Sequence, residues 1–349
     1  IHDPGIDTAA VGQGSTLDVV QLLHQACGTD WYHNEIHATP KLGILYENFS
    51  KKNKNIFHNF DLNVIAIQVD PKYLQKYILN SGLFAVKERN VTDLDTVDAD
   101  VIFDCRGNTD KDDIEYESLY CPVNSVLLAI STMHDNAQNW TRTVATPDGW
   151  TFVIPNTTDT TSYGYLYNKD ITPLETAKTN FSELFGKEFP NEMKTFNLSF
   201  ESYMAKEPLR IDSNGRKIIL NGNRLAFLEP MESTAIKLYL DVANNLYNWI
   251  IFNDPSSLND LTSMINQMIH EIHTFILWHY IRGSVYDTPF WREAQTKTTA
   301  IFEQPNENFQ NIVNLAKSTD YIDLNAGTPV IYGVWPSPSI KRWYDGYIK

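Results

Sequence analysis

The sequence predicts an α/β or α+β protein whose C-terminal third is helical, and three observations carry that reading. Short apolar runs of strand length, bounded by Gly, Pro or charged residues, recur between Lys41 and Phe227. Two stretches in the N-terminal half instead carry apolar residues at helical spacing. Two long amphipathic stretches follow Phe227.

In order along the chain, "IDTAAVGQGST" reads as a short strand, a glycine turn at Gly12 and Gly14, and a helix starting at Ser15 or Thr16. That helix carries Leu17, Val20, Leu23 and Cys27 on one face. "KLGILYENF" reads as a strand beginning at Lys41. "PKYLQKYILNSG" is a helix with Pro71 in its first turn and Gly82 at its end. "ADVIFDCRG" is a buried strand ending in a turn. "SVLLAIST", "WTFVIP", "SYGYLYN" and "RKIILNGNRLAF" supply further strands. The first long helix is expected from about Ser233 to Ile250, with Ile236, Tyr239, Leu240, Ala243, Leu246, Tyr247 and Ile250 in one stripe. The second is expected from about Ser257 to Arg282, with Leu261, Ile265, Ile269, Ile272 and Ile276 facing inward. After Pro305 a last helix gives way to Pro-rich coil.

The totals bound the function. A net charge of −15 provides no basic excess to meet phosphates, which argues against a nucleic acid or an anionic membrane as partner. Cys27, Cys105 and Cys121 form no close pair, so neither a disulfide framework nor a zinc site is expected, and a reducing, cytoplasmic setting fits. No apolar run approaches the roughly 18 residues of a spanning helix. The six N-x-S/T sequons read as chance.

Three stretches invite chemistry. "HNEIH" puts His33 and His37 at i and i+4, but it lacks the glutamate position of a zinc protease and marks no third ligand, so exposed polar residues are the simpler reading and no metal is assigned. "HEIH" (His270 to His273) is weaker still. Lys41 enters an apolar strand, where an ammonium must be satisfied or lose its proton. "FLEPMEST" crowds Glu229, Pro230, Glu232, Ser233 and Thr234 at the start of the first long helix. Capping accounts for Ser233 or Thr234 but not for a glutamate just ahead of the cap.

"VGQGST", "PKLGILYENF", "ADVIFDCRG", "GWTFVIP", "GNRLAFLEPMESTAI" and "YDTPFW" occur in the order found in flavin-dependent halogenases of the tryptophan-halogenase type, which the chain resembles from about Ile6 to Trp291. The family's W-x-W-x-I-P motif stands here as Trp150 to Pro155, with Phe152 for the second Trp. Its E-S-T-G stands as Glu232-Ser233-Thr234-Ala235, and its G-V-G-E turn as Ala10-Val11-Gly12-Gln13.

The resemblance implies a flavin-monooxygenase-like FAD-binding fold, a mixed sheet with helices, over residues 1–235, and a helical substrate region over 236–349. It implies that the first glycine-rich βαβ unit lies before residue 1. It assigns Lys41 and Glu232 as catalytic residues with Ser233 in support, and the amides of Thr234 and Ala235 as the halide site. Val11, Gly12, Gln13, Ser15, Thr16, Gly222, Leu228 and Pro230 would contact FAD, supplied as FADH2. Trp150, Phe152 and Pro155 would part flavin from substrate. The implied reaction oxidises chloride, bromide or iodide with oxygen to hypohalous acid, which reaches Lys41 through a tunnel and halogenates an electron-rich aromatic. The implied partners are a separate flavin reductase and a small aromatic substrate, and homo-oligomerisation is left open. The last stretch, "GVWPSPSIKRWYDGYIK", offers no recognisable clamp for an amino acid, so free tryptophan is expected to be a poor substrate. Two other readings are a flavin-dependent monooxygenase and a flavin-free binding protein derived from the fold.

Overall fold

The computed structural model describes residues 1–349 except 7–10, 32–33, 61–65, 108–113, 133–137, 253–256, 304–309, 311–313, 315–329, 332–334, 337–339, 342 and 346–349. Four groups of elements matter for the site. The first comprises β1 (Gln13–Gly14), α1 (Leu17–Cys27), β2 (Thr39–Lys41), β3 (Gly43–Glu47), β4 (Asn55–Asn59), β5 (Ala66–Val69) and α2 (Pro71–Leu79). The second comprises β6 (Val101–Asp104), β7 (Tyr116–Leu119), β8 (Ser125–Ser131), β9 (Thr141–Thr146), β10 (Gly149–Pro155), β11 (Thr161–Tyr167) and α3 (Leu174–Phe185). Then follow β12 (Phe196–Ser199), β13 (Ser202–Ala205), β14 (Leu209–Ile211), β15 (Lys217–Leu220) and β16 (Ala226–Phe227). The helical part is α4 (Ala235–Asn245), α5 (Tyr247–Phe252), α6 (Leu258–Trp278) and α7 (Pro289–Glu303).

A seven-stranded sheet in the order β12-β8-β11-β10-β9-β3-β4 forms the middle layer. It is antiparallel except where β3 runs parallel to β9. Strand alternation splits its residues between two buried clusters. Val153, Tyr163, Tyr165 and Tyr167 pack on α3 through Ala177, Phe181 and Phe185. Trp150, Phe152, Ile154 and Leu166 join the main cluster with residues of α4, α6 and α7. Three three-stranded sheets, β1-β5-β2, β16-β13-β7 and β14-β15-β6, accompany it, and in the last of them β15 and β6 are parallel. The fold is therefore α/β with a mixed sheet and a helical C-terminal part. Among the described residues, no helix is long and apolar enough to cross a membrane.

Several boundaries differ from expectation, each for a physical reason. The strand expected from Lys41 is two strands, because the chain changes sheets at Leu42, whose N–H bonds to Asn139 O (2.7 Å). Gly12 and Gly14 make no turn: Gly14 lies in extended β1, opposite Gln68. The helix expected to reach Ile250 breaks at Leu246 into α4 and α5. The helix expected to reach Arg282 ends at Trp278, where His279, Tyr280 and Ile281 bond three residues back and Gly283 turns left-handed (φ 70°). Helices α3 and α7 were not anticipated. The strand expected over 6–11 falls largely on residues 7–10, and the helix expected after Pro305 largely on 306–309, 311–313 and 315–329, outside the described residues.

Gly164 shows how the motif strand is packed. It lies opposite Phe152, and a Cβ built on it would meet that ring at 2.1 Å. Gly164→Ala should destabilise the protein by about 1–3 kcal/mol through overpacking, read as a lower denaturant midpoint that Phe152→Leu partly restores. An unchanged midpoint would show that the ring moves aside without cost.

Candidate active site

Lys41 ends β2 beside the point where the chain crosses into the large sheet. It is 1% exposed, and Nζ sits 5.7 Å from the centroid of the Phe60 ring. Among the described residues Lys41 forms no ion pair within 4 Å. Burial brings its pKa down to about 8, with the charge of Glu232 acting in the opposite direction. Gly14 gives the lysine its room: a Cβ there would stand 2.7 Å from Lys41 Nζ and 3.1 Å from Ser233 Oγ. The glycine is thus needed for close approach of three segments, not for a positive φ.

The "FLEPMEST" segment builds the opposite wall. Pro230–Glu232 forms one 3-10 turn, and Ser233 then adopts the left-handed conformation (φ 56°, ψ 36°). Ser233 is therefore outside the helix. Thr234 occupies the N-cap of α4 but makes no side-chain capping bond. The capping expected of these hydroxyls is absent, and the first amides of α4 keep their anion-binding capacity. Ala235, the first helical residue, is exposed.

Both glutamates of the segment are buried, and their surroundings push them apart. Glu232 Oε1 accepts from the Tyr46 hydroxyl and lies 2.6 Å from His279 Nε2. Burial raises its pKa, but the His279 hydrogen bond and charge, the His58 charge and the Tyr46 hydroxyl together hold it below the usual carboxylate value. Glu229 accepts from Cys121 Sγ (3.0 Å) and Tyr280 OH (2.7 Å). Burial dominates there and pushes the carboxyl up to about 7, against the pull of those two donors and of His279. One carboxyl is therefore kept ionised and the other is poised to be neutral.

The residues assigned to flavin divide into two places. Gly12 N donates to Ser162 Oγ (3.0 Å), and a Cβ on Gly12 would overlap Asn156 Oδ1 at 1.6 Å. Ser15 N donates to Ile67 O (2.8 Å), and Ile67 N donates to Ser15 Oγ (3.1 Å). Thr39 Oγ1 donates to Pro155 O (2.5 Å), tying the Trp150–Pro155 strand to the lysine strand. Residues 11–16, 39–41, 155–156 and 232–234 therefore meet, with Leu228 half-buried and Pro230 exposed on the same segment. Gly222 (φ 60°) belongs to a second place, the carboxyl ends of the parallel pair β6 and β15. There Arg106 and Arg224 both pair with Asp104 at 2.8 and 2.9 Å. In open α/β sheets this end of a parallel pair is where cofactors bind. Trp150 and Phe152 lie in the main cluster with Met231.

Two buried oxygens at the first place, Thr16 Oγ1 and Asn156 Oδ1, make no hydrogen bond among the described residues. Such atoms fit a bound polar ring system that supplies the missing partners.

Sequence reasoning missed the residues that hold the glutamates: Tyr46, His279 and Tyr280. It also missed the ring of His58 and Trp343, whose ring lies 4.0 Å from Tyr46 and 4.7 Å from His279. The only signal was aromatic density, in "ILYENF", "LWHY" and "KRWY", which does not say which atom a ring faces. The histidines weighed as metal ligands have other settings. His273 Nε2 bonds to Tyr120 O (2.7 Å). His33 lies outside the described residues. Among the described residues no three His, Cys, Asp or Glu side chains converge as a metal site.

The family profile described as tryptophan halogenase matches residues 81–328. The chain belongs to the tryptophan halogenase family. Tryptophan 7-halogenase RebH of Lentzea aerocolonigenes is 27% identical over 214 residues, covering 56% of this chain and 38% of that protein. Tryptophan 6-halogenase ThaL of Streptomyces albogriseolus is 27% identical over 177 residues, covering 47% and 31%. The chain thus spans well under half the length of these curated halogenases. The halogenase fold extends over nearly all of it. Tar14, a tryptophan C-6 flavin-dependent halogenase from taromycin biosynthesis, superposes with a TM-score of 0.77 at 17% identity, covering 99% of this chain and 84% of that one. MibH, a tryptophan 5-halogenase, superposes at 0.75 with 18% identity, covering 99% and 79%.

Proposed function

We propose that the chain is the core of a flavin-dependent halogenase that attaches an oxidised halogen to an electron-rich aromatic, with Lys41 presenting the halogen and Glu232 receiving the displaced proton. The observation that carries this reading is that Lys41 Nζ and Ser233 Oγ both stand against Gly14, which brings two buried residues of opposite charge, Lys41 and Glu232, from distant parts of the sequence to one place. Lys41 has no ion-pair partner among the described residues, and the charge of Glu232 acts against the burial that lowers its pKa. A structural role would not need that buried ammonium, which costs stability.

The residues present fit FAD. The close-packed Gly12 and Gly14 segment, the unsatisfied Thr16 and Asn156 oxygens, Leu228 and Pro230 would hold its ring end, and Gly222 would lie toward its phosphates. Bound there as FADH2, the cofactor would reduce oxygen by two electrons to the peroxide level, and that oxidant would take two electrons from the halide to give hypohalous acid.

The chain's own groups do the rest. The open amides of Thr234 and Ala235 hold the halide without a side-chain cation. Lys41, with a pKa of about 8, remains mostly an ammonium at neutral pH and polarises the oxidised halogen by hydrogen bonding. Ser233 Oγ, beside Gly14 with the ammonium, supports it. Glu232, held ionised, stabilises the cationic ring and removes its proton. Trp150, Phe152 and Pro155 keep the two compartments apart. Reduced flavin comes from a separate reductase.

The test is direct. The purified chain, supplied with FAD, a flavin reductase, NADH and bromide, is given indoles, phenols, anilines and free tryptophan, and products are read by mass. Bromide-dependent mass gain is expected, with free tryptophan a poor substrate. Hydroxylated products, or NADH consumption without added reductase, would replace this reading with the monooxygenase one.

A further inference from the structure

The end of α6 meets the "FLEPMEST" segment through two consecutive residues. His279 Nε2 lies 2.6 Å from Glu232 Oε1, and Tyr280 OH lies 2.7 Å from Glu229 Oε1. The spacing of the two glutamates by three residues matches this pair of side chains leaving one tightened helix end. On its other side, the His279 ring has Nδ1 2.9 Å from Phe275 O and 3.2 Å from Ile276 O. A carbonyl oxygen only accepts, so Nδ1 carries a proton; the Glu232 carboxylate also only accepts, so the contact at Nε2 needs a proton there too, and the paired ring is an imidazolium. The ring cannot turn. Phe275 stands edge-on at 5.1 Å, Trp343 edge-on at 4.7 Å, and Tyr46 lies tilted over it at 5.3 Å. Both members of the pair are buried, His279 at 2% exposure and Glu232 at 4%.

We infer that His279 is a positioning residue for the reaction, forming with Glu232 a buried imidazolium–carboxylate dyad that fixes where the carboxylate points. The inference rests on the assignment of Glu232 as proton acceptor. An orienting backbone carbonyl, an imidazolium and a carboxylate stand here in line, so the imidazolium is fixed from one side and fixes the acid on the other. Tyr46 adds a second donor to the same oxygen from β3. The groups that face the dyad are Tyr46 from β3, His58 from β4, and Glu229 from the same turn as Glu232, with Lys41 coupled to it from β2. Against burial, the His279 hydrogen bond and charge favour the charged carboxylate most, followed by His58 and the Tyr46 hydroxyl.

Two variants separate aim from charge. His279→Gln can still donate a hydrogen bond but carries no positive charge. His279→Phe keeps the packing and donates nothing. The FAD-loaded protein with its reductase is assayed from acid to neutral pH, and Glu232 ionisation is followed independently by infrared difference titration of the carboxyl band, with Glu232→Gln as the blank. We expect the acid limb of kcat to move up by at least one pH unit in His279→Gln with KM for the aromatic little changed. His279→Phe should show the same movement together with a further fall in kcat of roughly tenfold or more. The infrared titration should move in parallel with the acid limb. An acid limb and carboxyl band unmoved in both variants, with only a uniform loss of activity, would overturn the dyad and leave His279 as packing. A carboxyl band that moves in a protein that makes no halogenated product would keep the dyad and overturn the halogenase assignment.

Discussion

Lys41→Ala is expected to abolish halogenation while leaving flavin oxidation intact. The expectation rests on where the ammonium stands. Burial lowers its pKa to about 8, so the fold carries a charge that is costly to desolvate. Lys41→Met keeps the length and most of the volume and removes that cost, so it should fold at least as stably as the parent. A residue whose isosteric replacement improves the fold and eliminates the product is retained for chemistry. The pH dependence adds a second check. If the ammonium is the active form, activity should fall as the pH rises through about 8, where Lys41 loses its proton, well below the ordinary lysine value of 10.5. Product is measured by mass and flavin oxidation by absorbance in the same reaction. Parent-like halogenation by either variant would remove Lys41 from the mechanism.

How far the sequence led can be traced residue by residue. The "FLEPMEST" turn and the "GWTFVIP" strand were readable because their chemistry is local. Pro230 forces an extended approach, a run of small and acidic residues marks the helix start, and β10 alternates between two clusters. Lys41 was readable only as an oddity, a cation entering an apolar strand. The conformation of Ser233 was not readable, because a left-handed serine looks like an ordinary cap in one dimension. The role of Gly14 was misread for a related reason. Glycine serves both turns and close approaches, and only the positions of Lys41 Nζ and Ser233 Oγ decide between them. Tyr46 and His279 were out of reach altogether. Periodicity marks them as buried, but the carboxylate they share comes from another part of the chain, and facing atoms are fixed by tertiary packing. The same limit hid the split of "KLGILYENF" between two sheets, since an unbroken apolar run does not show where its hydrogen-bond partner changes.

Glu232→Gln should slow product formation by roughly 10² or more, the size of a lost general base, with little change in KM for the aromatic. The substitution keeps the shape of the side chain and its ability to accept from Tyr46 and His279, so the loss belongs to the charge. Two linked effects distinguish this from misfolding. The carboxylate raises the pKa of Lys41, so its removal should shift the basic limb of the remaining activity below pH 8. Stability should change with pH in the opposite region. The folded pKa of Glu232 lies below its ordinary value of 4.5. It therefore contributes stability that is fully present above about pH 4.5 and is lost as the pH falls through the folded pKa. Glu232→Gln should remove that part of the acid-side slope, so the variant and the parent converge in melting temperature as the pH is lowered. Both limbs are read from kcat against pH, and the slope from thermal unfolding at a series of acid pH values. A Glu232→Gln protein with the parent's rate would return the proton to another base. A rate loss without any movement of the basic limb would place Glu232 too far from Lys41 for the two to act on one substrate.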